Sequence, residues 1–183
     1  MAEMMLIRTR ADQVEPVYRE FVADYPSLDE AAEASREEIH DRLDVLGLTW
    51  RADRVYELLQ ELDTEHGGSV PMDKGELLSL PGVSQYVAGA VRCFGWGIAE
   101  PLIDANTVRI SGRLFGLGIK PHSRETERFQ RLIADLLDQE DPQAYNFALL
   151  DLGALVCTSR SPDCEECPIL ELCHFGKERR SVE

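Results

Sequence analysis

Apolar positions recur at helical spacing through nearly the whole chain. Val14, Val17, Tyr18, Phe21 and Val22 share one face of a helix that Tyr25-Pro26 stops. Ser27 is placed to cap a helix over 28–34, and Ser35 with Glu38 three residues on has the form of a capping box. Gly47 ends that second helix. Over 51–65, Val55, Leu58, Leu59 and Leu62 line one face, and His66-Gly67-Gly68 terminates the stretch. Further helices are expected over 73–80, 86–94, 106–115, 123–139 and 142–156. No alternating run long enough for a strand appears, and no internal repeat or low-complexity tract. The pattern predicts an all-α protein.

Composition narrows this picture. With 183 residues the chain can form one full domain or two small ones sharing a core. It has no apolar run long enough to span a membrane, and Met1 to Leu6 lacks the basic start and apolar core of a secretion signal. The expectation is a cytoplasmic protein whose thiols stay reduced. There are 34 acidic and 19 basic residues, a net charge of −15, and the only lysines are Lys74, Lys120 and Lys177. That balance argues against a nucleic-acid partner, which needs a basic surface to displace counterions. A high-salt cytoplasm is the other source of such a composition. At molar salt the Debye length is about 3 Å, so local arginines, of which there are 16, would then decide binding.

The C-terminal segment carries the densest chemistry. Cys157, Cys164, Cys167 and Cys173 are spaced Cys-x6-Cys-x2-Cys-x5-Cys, with Pro162 and Pro168 among them and few bulky apolar residues. Four thiolates so close in sequence can converge on one iron–sulfur cluster or one zinc ion, and spacing alone does not choose between the two. A disulfide framework fits less well, because no secretion signal precedes it and Cys93 is left over.

Two shorter features lie upstream. Leu80-Pro81-Gly82-Val83-Ser84 falls between two helical stretches and must be a tight turn, in which proline fixes the entry and glycine permits positive φ. Such a hairpin can offer backbone N–H groups to a phosphate, or it can be an ordinary αα-hairpin. Farther on, Asp104 precedes a helix carrying Asn106, Val108, Ile110 and Leu114. It reads as an N-cap, or as a carboxylate facing a cleft where it steadies a developing cation on a sugar.

Taken together, the hairpin at 80–84, Asp104 and the cysteine spacing resemble the helix-hairpin-helix DNA glycosylases, over nearly the whole chain from Glu3 to Cys173. The resemblance implies a two-lobed all-α fold, with residues 10–102 as one helical domain and 1–9 with 103–183 as the second lobe. It implies a [4Fe–4S] cluster held by Cys157, Cys164, Cys167 and Cys173. The implied partner is duplex DNA with a mismatched or damaged base, bound by a monomer and not at a membrane. The base would be flipped from the stack, and Asp104 would stabilise the oxocarbenium-like sugar and guide a water. Leu80, Pro81, Gly82, Val83 and Ser84 would contact DNA.

Finer features separate branches of that family. Members with lyase activity carry a lysine four residues after the hairpin glycine, whereas this chain has Tyr86, so base removal without strand cleavage is expected. Ile103-Asp104-Ala105-Asn106 and the stretch from Glu65 to Pro71 are similar to the thymine/uracil mismatch branch. Leu152 to Thr158 is more similar to the adenine branch, for which Glu3 is a candidate acid that protonates a purine. Ser84 replaces a second hairpin glycine. The loop 47–51 looks one residue short, leaving Trp50 or Arg8 as the wedge that fills the vacated stack; Trp50 has a half-buried core position as its alternative. Members also carry a helix ahead of the position matched by Glu3, which implies a start placed too late or a helix lost. The rival classes are a truncated DNA-binding module without catalysis and a zinc-stapled interaction protein. Cys93 is expected to be a buried small apolar group, and Arg109 and Arg113 to pair with local acids, with contact to phosphate as the alternative.

Overall fold

A computed structural model describes residues 1–180. Helices make up its regular structure, and no strand occurs among the described residues. None of its helices is long and apolar enough to cross a membrane. Backbone contacts divide the chain into two units, Met1–Val91 and Arg92–Glu183.

The first unit runs α1 (Ala2–Met5), α2 (Ala11–Asp24), α3 (Leu28–Glu33), α4 (Arg36–Leu43), α5 (Thr49–His66), α6 (Lys74–Ser79) and α7 (Gln85–Ala90). Their starts follow from side-chain caps. The Ser27 hydroxyl accepts from the Glu30 N–H at 3.2 Å, and Ser35 and Glu38 form the reciprocal box. Asp73 accepts from the N–H groups of Gly75 and Glu76, and Ser84 from that of Val87. The long helix α5 buries Ala52, Val55, Leu58, Leu59 and Leu62 and packs on α3 and α4. Each fully buried leucine or valine contributes about 1.5–3 kcal/mol, so this one face supplies much of the unit's core. Between α6 and α7 the turn closes through the Val83 N–H donating to the Leu80 carbonyl at 3.2 Å, with Leu80 buried beneath it.

The second unit is centred on α8 (Ala105–Leu114), which packs against α9 (Glu127–Asp135), α10 (Pro142–Asp151) and α11 (His174–Arg180). Val108, Phe129 and Ile133 form its core, with Ile103 and Leu117 against them. Asn146 is buried; its side-chain amide donates to the Glu100 carbonyl at 3.1 Å and to the Cys93 sulfur at 3.2 Å. Cys93 is therefore the expected buried group, with a polar partner besides.

The helical pattern is interrupted where periodicity alone ran on. Instead of one helix over 86–94, α7 gives way to a π-helical turn at Val91–Gly95, and α10 ends likewise in one at Leu152–Val156. The stretch expected as a helix over 123–139 is a 3-10 turn, Ser123–Glu125, followed by the shorter α9. Helix α5 begins two residues earlier than its apolar face indicates, taking Trp50 into its first turn.

Candidate active site and cysteine cluster

Asp104 is the N-cap of α8, and its carboxylate is held at both oxygens. Oδ1 accepts from the Thr107 N–H at 2.7 Å while the Thr107 hydroxyl accepts from the Asp104 N–H at 2.9 Å. Oδ2 accepts from the Asn106 side-chain amide at 2.9 Å. Capping and chemistry are thus compatible, because each carboxylate oxygen keeps a further lone pair. The chain of bonds continues inward. Asn106 Oδ1 accepts from Arg109 Nη2 at 2.9 Å, and Arg109 donates through Nε to the Cys157 carbonyl and through Nη2 to the Gly153 carbonyl, each at 2.9 Å. The π-helical turn presents that Gly153 carbonyl, and a Cβ at Gly153 would stand 2.9 Å from Asn106 Cβ. Only a glycine lets the turn approach so closely.

Cys157, Cys164, Cys167 and Cys173 line one small apolar cavity of about 20 Å³, together with Arg113, Leu170 and Phe175. Burial pushes the Cys167 thiol up, opposed by a hydrogen bond from the Ile169 N–H and reinforced by the other three cysteines. Among the described residues, no group of three or more His, Cys, Asp or Glu side chains is arranged to hold a single metal ion. Four cysteines lining one cavity are the donor set that an iron–sulfur cluster takes. Arg113 frames the rim: Nη1 donates to the Cys157 sulfur at 3.3 Å and to the Thr158 carbonyl at 2.7 Å, Nη2 to the Ser159 carbonyl at 3.0 Å, and the guanidinium lies over the Phe175 ring. Arg109 and Arg113 therefore bond to carbonyls of the cysteine loop, not to local acids as helical spacing suggested. His174 is exposed, near Glu178.

In the first unit, Glu3 lines an apolar cavity of about 340 Å³ with Phe21, Leu58, Leu62, Leu80 and Val83 among its walls. Burial raises its carboxyl above the usual range, partly offset by the nearby amino terminus. The hairpin meets α1 and α5: a Cβ at Gly82, where φ is 76°, would stand 2.6 Å from Met4 Cε and 3.1 Å from Arg54 Cβ. Gly82 and Ser84 are exposed, Pro81 and Val83 half-buried, and Tyr86 is half-buried in the first turn of α7. Trp50 is 43 % exposed, so it is not a core residue. Arg8 is exposed with φ 56°.

Sequence reasoning missed two residues here. Leu48 takes φ 65°, and it and Arg8 are the non-glycine residues with positive φ among the described ones. Arg51 is fully buried at 0 % exposure and makes its side-chain bonds to Met5, Ile7 and Thr9. An arginine at an amphipathic boundary gives no signal of this in one sequence.

Residues 157–173, from the first to the fourth cysteine, match the iron–sulfur binding domain of endonuclease III. The chain carries a [4Fe–4S] cluster. It is 37 % identical over 187 residues to the thymine/uracil-DNA glycosylase of Pyrobaculum aerophilum, covering 100 % of this chain and 81 % of that protein. To the adenine DNA glycosylase of Homo sapiens it is 33 % identical, over 94 % of this chain and 32 % of the relative. The solved structure of a thermostable thymine-DNA glycosylase superposes with a TM-score of 0.88 at 30 % identity, over 97 % of this chain and 82 % of that one. With 37 % identity over 81 % of the first of these relatives, the chain belongs to the helix-hairpin-helix DNA glycosylase family.

Proposed function

We propose that this chain is a base-excision DNA glycosylase that removes thymine or uracil opposite guanine and does not cleave the strand. The observation that carries the reading is the Asp104 carboxylate, fixed at both oxygens on the start of α8. Once a nucleotide is extruded, a carboxylate so held opposes the positive charge that develops on the sugar as the glycosidic bond breaks. Its free lone pairs orient a water for attack on the anomeric carbon. A free base and an abasic site result.

Other residues take supporting roles in this reading. The hairpin Leu80-Pro81-Gly82-Val83-Ser84 abuts a DNA phosphate through its backbone, needing no lysine there. Arg8 and Trp50, both exposed, face the duplex and fill the space the base leaves. Tyr86 stands where an attacking amine would be, so no imine forms with the sugar. The cluster, held by Cys157, Cys164, Cys167 and Cys173, supplies the covalent staple for a loop with little core of its own.

Thymine or uracil is favoured by the 37 % identity to a thymine/uracil-DNA glycosylase over the full chain and by the Asp104-Ala105-Asn106 sequence. One observation favours a second reading, adenine opposite guanine or 8-oxoguanine: Glu3 keeps its proton to higher pH than an ordinary glutamate and is suited to protonate a purine.

The test is base release from G·T, G·U, G·A and 8-oxoG·A duplexes, with borohydride added in a parallel series. Release from G·T and G·U without a trapped protein–DNA adduct is expected, and Asp104→Asn should lower that release by at least about 10³-fold while duplex binding persists. Release from 8-oxoG·A alone would select the adenine reading, and an adduct would end the monofunctional one.

A further inference from the structure

Arg51 is buried completely, yet among the described residues it bonds to no carboxylate. Nη1 donates to the Met5 carbonyl, and Nη2 donates to the Ile7 carbonyl at 2.8 Å and to the Thr9 hydroxyl at 2.7 Å. Its Nε has no hydrogen-bond partner among the described residues. A desolvated guanidinium with one unused donor is a poor device for stability, since apolar side chains of like volume usually serve better there. Its contacts are particular. Ile7 and Thr9 flank Arg8, so Arg51 grips the chain on both sides of that exposed left-handed residue. The Arg51 backbone N–H donates to the Leu48 carbonyl at 2.7 Å, closing the turn that holds the other left-handed residue. Positive φ at non-glycine positions is held only where surroundings over-determine it, and such positions gather at functional sites. The turn at Arg8 also borders a groove, lined by Arg8 and Thr9 together with Val45 and Leu46 of the 3-10 turn Asp44–Leu46 that leads into Leu48.

We propose that Arg51 is a positioning residue for base extrusion, holding the turns at Arg8 and Leu48 in the strained form that meets the duplex. The inference rests on the DNA-facing reading of Arg8 given above. A guanidinium suits the task because its planar fork reaches three acceptors at fixed angles, while an ammonium on a flexible stem reaches fewer. Neutral carbonyl acceptors keep the clamp independent of nearby charge. If the turns probe the stack, loosening them slows only those substrates whose base must be pushed out.

The experiment compares single-turnover uracil release from a G·U duplex with release of the same uracil from an unpaired loop, where it is already unstacked. The cluster-loaded full chain and its Arg51→Lys, Thr9→Val and Arg8→Ala variants are used. Arg51→Lys and Thr9→Val should slow the duplex reaction about 10- to 100-fold, the scale of a small misplacement of reacting groups, and leave the loop reaction within about twofold. Thr9→Val removes one half-buried acceptor and serves if Arg51→Lys does not fold. An equal fall on both substrates would make Arg51 merely structural and overturn the proposal. If Arg8→Ala slows the duplex reaction but Arg51→Lys and Thr9→Val match the parent, the proposal falls while the DNA-facing reading stands. If Arg8→Ala is also without effect, that reading fails and takes the proposal with it.

Discussion

Glu3 shows how burial turns an ordinary residue type into a chemical one. It sits half-buried in an apolar cavity, and the loss of hydration raises its pKa from a starting value of 4.5. An acid with a raised folded-state pKa stabilises the fold below the unfolded value and loses that contribution as pH rises through the folded value. Glu3→Gln should therefore raise the melting temperature at neutral pH by about 2–4 °C, with the gain closing below pH 4.5, in scanning calorimetry across pH. A gain that persists at low pH would mean that the carboxyl is not the group responsible. Asp104 as a cap and the four cysteines as neighbours were legible from a helix start and from spacing, whereas Glu3 was named only through the resemblance. Arg109 and Arg113 were named, but their partners were not. Those partners are carbonyls of Gly153 and of 157–159, more than 40 residues on, and helical spacing reports only neighbours on the same helix.

Among the elements, the hairpin between α6 and α7 is tightly constrained by its neighbours. Gly82 combines positive φ with contact against Met4 and Arg54, so two independent costs fall on any side chain there. Gly82→Ala should destabilise the protein by about 1–3 kcal/mol, the usual cost of such a backbone position, and weaken duplex binding. Gly95→Ala, where a Cβ meets nothing within 4 Å and φ is not positive, is the control and should be near neutral in the same urea titration. Helix starts were readable because Ser27, Ser35, Asp73, Ser84, Asp104 and Asp141 all act as caps. Interruptions were not. The π-helical turns at Val91–Gly95 and Leu152–Val156 each add a residue to a turn without changing which residue types are apolar. The early start of α5 depends on Leu48 accepting a left-handed backbone, which no leucine signals.

At the scale of the molecule, two units are stabilised by different means. The first owes its core to α5, whereas the loop 157–173 of the second has Leu170 as its one buried hydrophobic residue. Cys164→Ser should abolish bound iron by metal analysis and remove hydrogen-exchange protection from 157–173, while α5 keeps its protection. A folded variant with its full iron content would show that the ligand set is different. The composition, acid-rich with 16 arginines and three lysines, at first argued against DNA, and it misled because net charge says nothing about where cations are used. Exposed pairs such as Arg19 with Glu15 and Arg131 with Glu127 are ordinary charge–charge contacts that dissolved ions screen. Arg51, Arg109 and Arg113 instead bind almost wholly to neutral oxygens. Their attraction is that of a cation for a dipole at contact distance, which dissolved ions screen little, least of all at the fully buried Arg51. Raising the ionic strength thus strips the outer pairs from this protein and leaves the internal frames of its two candidate working regions intact.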